Sequence, residues 1–156
     1  WRGCALTSLA TLINYYAKKY PELNISLTNP GLLNDYLKKL PNNSGYSPDN
    51  DVNFAAIERY TKERVFYFGK YDIDDYPSED VWGIANSLIE LGRPIMFKFM
   101  RRIKKRDGRF EFRPHFILAV GKCGSKYVIV DPAGGIEGLY EANESDLIFK
   151  GVRIFY

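Results

Sequence analysis

PHFILAVGKCGSKYVIVDP, Pro114 to Pro132, is the stretch on which the fold turns. Two β-rich runs, His115 to Val120 and Tyr127 to Val130, flank Gly121 to Lys126. Apolar, β-branched runs split by turn formers fold back as antiparallel neighbours. The turn is expected to carry Cys123 at an exposed tip. Cys123 is also midway between His115 and Asp131, so pairing across the hairpin is expected to bring these two together at its open end. A carboxylate there can hold an imidazole ring.

Further strands are expected at Ile95 to Met100 and Val152 to Tyr156, and Asp107-Gly108 is a strong hairpin signal. The first half is mostly helical. Leu6, Leu9, Ala10, Ile13, Tyr16 and Ala17 recur at steps of three and four, which predicts an amphipathic helix from about Cys4 to Tyr20, ended by Pro21. Asn29-Pro30 is a cap and first-turn pair for a short helix through Leu32, Leu33, Tyr36 and Leu37, up to Leu40-Pro41. Asn42 to Asp51 is rich in turn formers and is expected to be a loop. A third helix should place Phe54, Ile57 and Tyr60 inward, and Val65 to Phe68 is expected to form a strand. Ser78 is expected to cap a fourth helix that turns Val81, Ile84, Ala85, Leu88 and Ile89 inward and stops at Gly92 and Pro94. Helices first and an antiparallel sheet afterwards describe an α+β domain, with N-terminal helices packed on a C-terminal sheet.

A chain of 156 residues suits one domain over 1–156. Hydrophobic residues at 46% and charged residues at 26% favour a packed core over disorder. No apolar run is long enough to span a bilayer. The net charge of +3 is too small to imply a polyanion partner, and no recognition motif for nucleic acid accompanies the basic run from Arg101 to Arg113. That run is expected to be a solvated hairpin face, or else an electrostatic landing site for an anionic peptide or polymer. The chain opens on Trp1 rather than Met, so a targeting signal would lie upstream, and location stays open between the cell envelope or exterior and the cytoplasm. With one histidine and two distant cysteines, no zinc site is expected, and no cofactor is expected. Gly134-Gly135 is read as a turn and lacks the strand-to-helix setting of a phosphate loop.

Cys4, His115 and Asp131 supply the residue types of a nucleophilic triad. A thiol needs a base to become thiolate, and the base needs an acceptor on its second ring nitrogen. Cys4 starts the first helix, where unpaired backbone N–H groups favour a negative sulfur. Alone, each of the three suits a structural role as well: a small buried residue, a satisfied histidine, a strand-end aspartate. Their combination is what points to catalysis.

GCALTSLATLINYY, from Gly3, resembles the nucleophile helix of C39-like cysteine peptidases, in the papain-like superfamily. NPGLLNDYLKK and GYSPDNDVNFAAI resemble the second and third helices of the branch often attached to bacterial and phage cell-wall proteins. GRPIMFKF, PHFILAVG, YVIVDPAGG and FKGVRIFY resemble the core strands that follow, including those of the histidine and the aspartate. The resemblance implies the papain-like fold, with Cys4 as nucleophile, His115 as general base and acid, and Asp131 as orienter. Trp1, Gly3, Arg113 and Pro114 are the expected substrate contacts, and a peptide or peptidoglycan-like chain is the implied substrate. The family usually carries a glutamine ahead of its cysteine to complete the oxyanion hole, and only Trp1, Arg2 and Gly3 precede Cys4 here. A non-catalytic papain-like module that binds a peptide or wall fragment is therefore the alternative, with acyl transfer a third option.

Overall fold

In the computed structural model, the described residues are 2–131, 136–140 and 147–156. Four α-helices, a short 3-10 helix (Pro21–Leu23) after the first of them, and six strands run through these residues: α1 (Arg2–Lys19), α2 (Pro30–Lys39), α3 (Ala56–Tyr60), β1 (Tyr67–Asp72), α4 (Ser78–Glu90), β2 (Ile95–Lys104), β3 (Phe110–Cys123), β4 (Lys126–Asp131), β5 (Ile136–Tyr140) and β6 (Leu147–Phe155). The strands form one sheet in the order β1-β6-β2-β3-β4-β5, antiparallel at every pairing. The mixed helix and antiparallel sheet architecture expected from the sequence is present.

Helices cover both faces of this sheet. Alternation along the strands sorts the apolar side chains into two cores. Met96, Leu118 and Phe155 join the inner faces of α1, α2 and α3 through Leu9, Ile13, Leu33, Leu37 and Ile57. Ile95, Phe97, Ile117, Ala119, Val152 and Ile154 instead meet Val81, Ala85 and Ile89 of α4 on the other side. Burying a side chain of this size stabilises by about 1.5–3 kcal/mol relative to leaving it in water, so both faces hold the sheet in place.

Several local expectations shift. The strand read at Val65 to Phe68 lies at Tyr67–Asp72, because Val65 is fully buried and its N–H is taken by Thr61 Oγ1 at 3.0 Å, leaving it outside the ladder. Ser78 does not cap α4. Pro77 is the cap residue, and its carbonyl accepts from Asp80 and Val81, so Ser78 already lies inside the first turn. The hairpin at Asp107-Gly108 forms as expected, with Gly108 at φ +83°, and its strands run on to Lys104 and back from Phe110. Cys123 is exposed but closes β3, paired with Lys126, so the turn is Gly124-Ser125. The sequence reading had no strand at β5. The turn expected at Gly134-Gly135 lies outside the described residues.

Two glycines permit close approaches that matter for the site. A Cβ at Gly45 would lie 2.0 Å from the Leu37 carbonyl oxygen, so only glycine lets the loop after α2 lie against that helix. The same loop is held by Tyr46, whose hydroxyl bonds Asn34 Oδ1 at 2.6 Å, and by the Asn53 N–H on the Gly45 carbonyl at 3.0 Å. Gly151, at φ +149°, lets Asp72 pack over β6, where a Cβ would lie 2.4 Å from Asp72 Oδ1. From there Asp72 grips Arg153 in a buried pair, at 2.6 and 3.4 Å. Removing one partner of such a pair costs about 3–5 kcal/mol.

Candidate active site

The site forms where β3 changes partners. From Cys123 to Leu118 its outer edge pairs with β4, whose pairings end with Leu118 against Val130. Beyond that, at Pro114 and Phe116, the edge is met by the first turns of α1. Ser8 Oγ donates to the Phe116 carbonyl at 3.1 Å, and Cys4 Sγ lies 4.0 Å from the Pro114 carbonyl. Cys4 and Ser8 are one helical turn apart, and Pro114 and Phe116 are two residues apart on a strand, so these spacings match. The Phe116 N–H points the same way as its carbonyl and donates to the Cys4 sulfur. One residue of β3 thereby fixes both side chains of the helix.

His115 lies between these contacts. It is 6% exposed, and on its other side β3 pairs it with Phe99 of β2. Its ring hydrogen-bonds Cys4. Burial pushes the Cys4 thiol up, but the His115 hydrogen bond, the Phe116 N–H, the His115 charge and the Ala5 N–H together hold it below the ordinary thiol value. Both cysteines are free thiols. A half-buried thiol with a lowered pKa, bonded to an imidazole at a helix N-terminus, can act as a nucleophile.

The remaining expected residues divide. Pro114 and Arg113 line a cavity of about 200 Å³ with Cys4, His115, Arg101 and Ile103. Gly3 is exposed in the first turn of α1, with open space where a Cβ would stand. Trp1 lies outside the described residues. Asp131 closes β4 and its backbone pairs with Ile136, while its side chain lies outside the described residues. The register corrects the hairpin arithmetic, however. A bulge between Ala119 and Gly121 and the turn at Gly124-Ser125 set Leu118 against Val130, so the next step places Asp131 at the level of Ile117. It therefore stands two residues along β3 from His115, at the same end of the hairpin.

Part of the basic hairpin is internally compensated. Arg109 pairs with Asp107 at 2.7 Å, Lys105 with Glu111 at 2.6 Å, and Arg113 also bonds Glu111. The Arg109 side-chain and backbone hydrogen bonds hold the Asp107 carboxyl below its usual value, and Lys105 foremost does the same for Glu111. Among the described residues no cluster of potential metal ligands exists and no helix is long and apolar enough to cross a membrane.

Sequence reasoning missed Ser8, which is 1% exposed. The signal was there: a serine four residues after Cys4, on the otherwise apolar face of the helix. It also missed a groove of about 510 Å³ that adjoins the small cavity at Pro114 and is walled by Ala5, Phe116 and the loop from Ser47 to Phe54. That groove brings together parts of the chain too far apart for any motif to reveal.

Across 98% of this chain and 88% of the other, the fold matches a crystal structure from Bacillus anthracis of a protein provisionally assigned as a C39-like peptidase, at a TM-score of 0.51 and 11% sequence identity. The likeness is one of fold. No protein-family profile and no curated protein matches the chain.

Proposed function

We propose that the protein is a papain-like cysteine peptidase or amide hydrolase, one domain over 1–156, with Cys4 as nucleophile, His115 as general base and acid, and Asp131 as the residue that orients the imidazole. The observation that carries this reading is the Cys4 thiol, hydrogen-bonded to His115 at the N-terminus of α1 with its pKa lowered. The distant fold likeness to the Bacillus anthracis protein supports the same class.

In this reading His115 takes the thiol proton as Cys4 Sγ attacks the carbonyl carbon of a peptide or related amide. The Cys4 backbone N–H, in the first turn of α1, faces the developing oxyanion. His115 then returns the proton to the leaving amine, which departs and leaves an acyl-thioester on Cys4. Water, deprotonated by His115, attacks that thioester, releases the carboxylic acid and restores the thiol. Asp131 would fix the tautomer and favour the imidazolium formed at each step.

The test is to incubate the protein with unstructured peptides and with cell-wall stem-peptide fragments, and to follow products by mass spectrometry. Cleavage that disappears in both Cys4→Ala and His115→Ala is the expected outcome. Cleavage that survives Cys4→Ala would contradict the reading. Fragments that bind without being cut would transfer the site to the binding-module alternative.

A further inference from the structure

The larger groove has a polar floor that the proposed hydrolytic chemistry does not use. Three strands supply it: Lys70 from β1, Arg153 from β6 and Lys98 from β2. The register brings these cations close, since Lys70 pairs with Arg153 across β1 and β6, and Lys98 pairs with Gly151 two residues before Arg153. Gly151 has no side chain of its own, and the space above it is taken by the Asp72 carboxylate. Arg153 is neutralised by its buried bond to Asp72. Among the described residues Lys70 and Lys98 have no such partner. The single acidic side chain in the lining, Asp51, sits on the loop wall and not on this floor. An anion entering the groove is therefore drawn to the sheet and away from the loop.

The groove also leads to the candidate nucleophile. Ala5 follows Cys4 in α1, and Pro114 borders both the groove and the small cavity that holds Cys4 and His115. A chain whose carbonyl lies at Cys4 has its neighbouring residues in one space or the other. We propose that the groove is a specificity subsite for an acidic residue of the substrate, whose carboxylate is taken up by Lys98 and Lys70. This rests on the reading of Cys4 as the nucleophile of the cleft.

The test uses two thiol-directed probes of equal size, bromoacetyl-Gly-Glu amide and bromoacetyl-Gly-Gln amide, on Cys123→Ser protein, so that Cys4 is the thiol labelled. The sulfur attacks the methylene carbon, bromide leaves with the bonding pair, and the thiol proton passes to His115. The glutamate probe should label Cys4 about three- to fivefold faster at low salt, the ratio that one or two exposed ion pairs supply. The advantage should shrink as salt is raised. In Lys98→Gln/Lys70→Gln protein the ratio should fall to about one, the value set by loss of that same attraction. Because both probes are read in each variant, a smaller folded fraction cancels from the ratio. Equal rates in the parent protein would overturn the proposal. So would a preference that survives Lys98→Gln/Lys70→Gln and vanishes in Arg101→Gln. Labelling needs no turnover, so a charge preference without hydrolysis would overturn the hydrolase reading and leave the subsite standing, whereas hydrolysis without a charge preference would do the reverse.

Discussion

Cys4 meets β3 near its middle and Cys123 closes the C-terminal end of the same strand, and their surroundings differ in the respects that govern thiol chemistry. Cys123 closes β3 at a two-residue turn, paired with Lys126 and exposed to solvent. Cys4 meets β3 at Pro114 to Phe116 from α1, half-buried, with an imidazole and two backbone N–H groups directed at its sulfur. The amino acid is the same. What separates the two is that the β4 pairings end at Leu118, and α1 takes over the freed edge at Pro114 to Phe116 with Cys4 and Ser8.

On the proposed hydrolase reading, the largest consequence of that difference is in turnover. Replacing Cys4 or His115 by alanine should lower peptide hydrolysis by about 10⁴-fold or more, as losses within a catalytic triad do, while Cys123→Ser should leave it unchanged. An equal loss in Cys123→Ser, measured on the same substrate, would erase the distinction between the two thiols. Alkylation comes next. Iodoacetamide should label Cys4 several-fold ahead of Cys123 near neutral pH, since the thiolate is the reacting species. His115→Ala should slow labelling of Cys4 and leave that of Cys123 as it was, which peptide mapping by mass spectrometry resolves.

How far this was legible in the sequence depended on distance along the chain. The periodic helix from Leu6 to Tyr16 and the hairpin at Asp107-Gly108 are local, and both are where their residues place them. Cys4 and His115 were found because a single histidine and a helix-start cysteine are chemically distinctive, and the structure brings them together. Register was a different matter. The turn falls at Gly124-Ser125 and not on Cys123, which by itself would set Asp131 against Leu118, and the bulge between Ala119 and Gly121 brings it back by one residue to the level of Ile117. No residue type announces either shift, so the position of Asp131 was offset by two residues. Helices on both faces of the sheet were likewise hidden, because Ile95, Met96 and Phe97 are all buried and a continuous apolar run does not say which face is which.

A smaller effect tests the junction itself. Ser8→Ala removes the hydroxyl that satisfies the Phe116 carbonyl and should cost about 1–2 kcal/mol, a typical figure for a buried hydrogen bond lost on one side. Chemical denaturation reads that loss, and slower alkylation of Cys4 should accompany it if Phe116 positions the sulfur. Loss of stability with unchanged alkylation would confine Ser8 to holding the fold. Smaller still is a pH effect on stability. Because the folded protein lowers the Cys4 pKa, the unfolded chain holds the proton over the interval between the lowered value and the ordinary thiol value. Stability should therefore rise with pH across that interval, be fully present above it, and fade as pH falls through the folded value. Cys4→Ser should remove the slope.

The central claim is that α1 and β3 together make Cys4 a thiolate more readily than a free cysteine. Titrating the ultraviolet absorbance of the thiolate in Cys123→Ser protein tests it without a substrate. The midpoint should fall below about 8.5, the value of a free cysteine, and should rise when His115 is replaced by alanine. A midpoint at or above that of free cysteine, or one that His115→Ala leaves in place, would contradict the account.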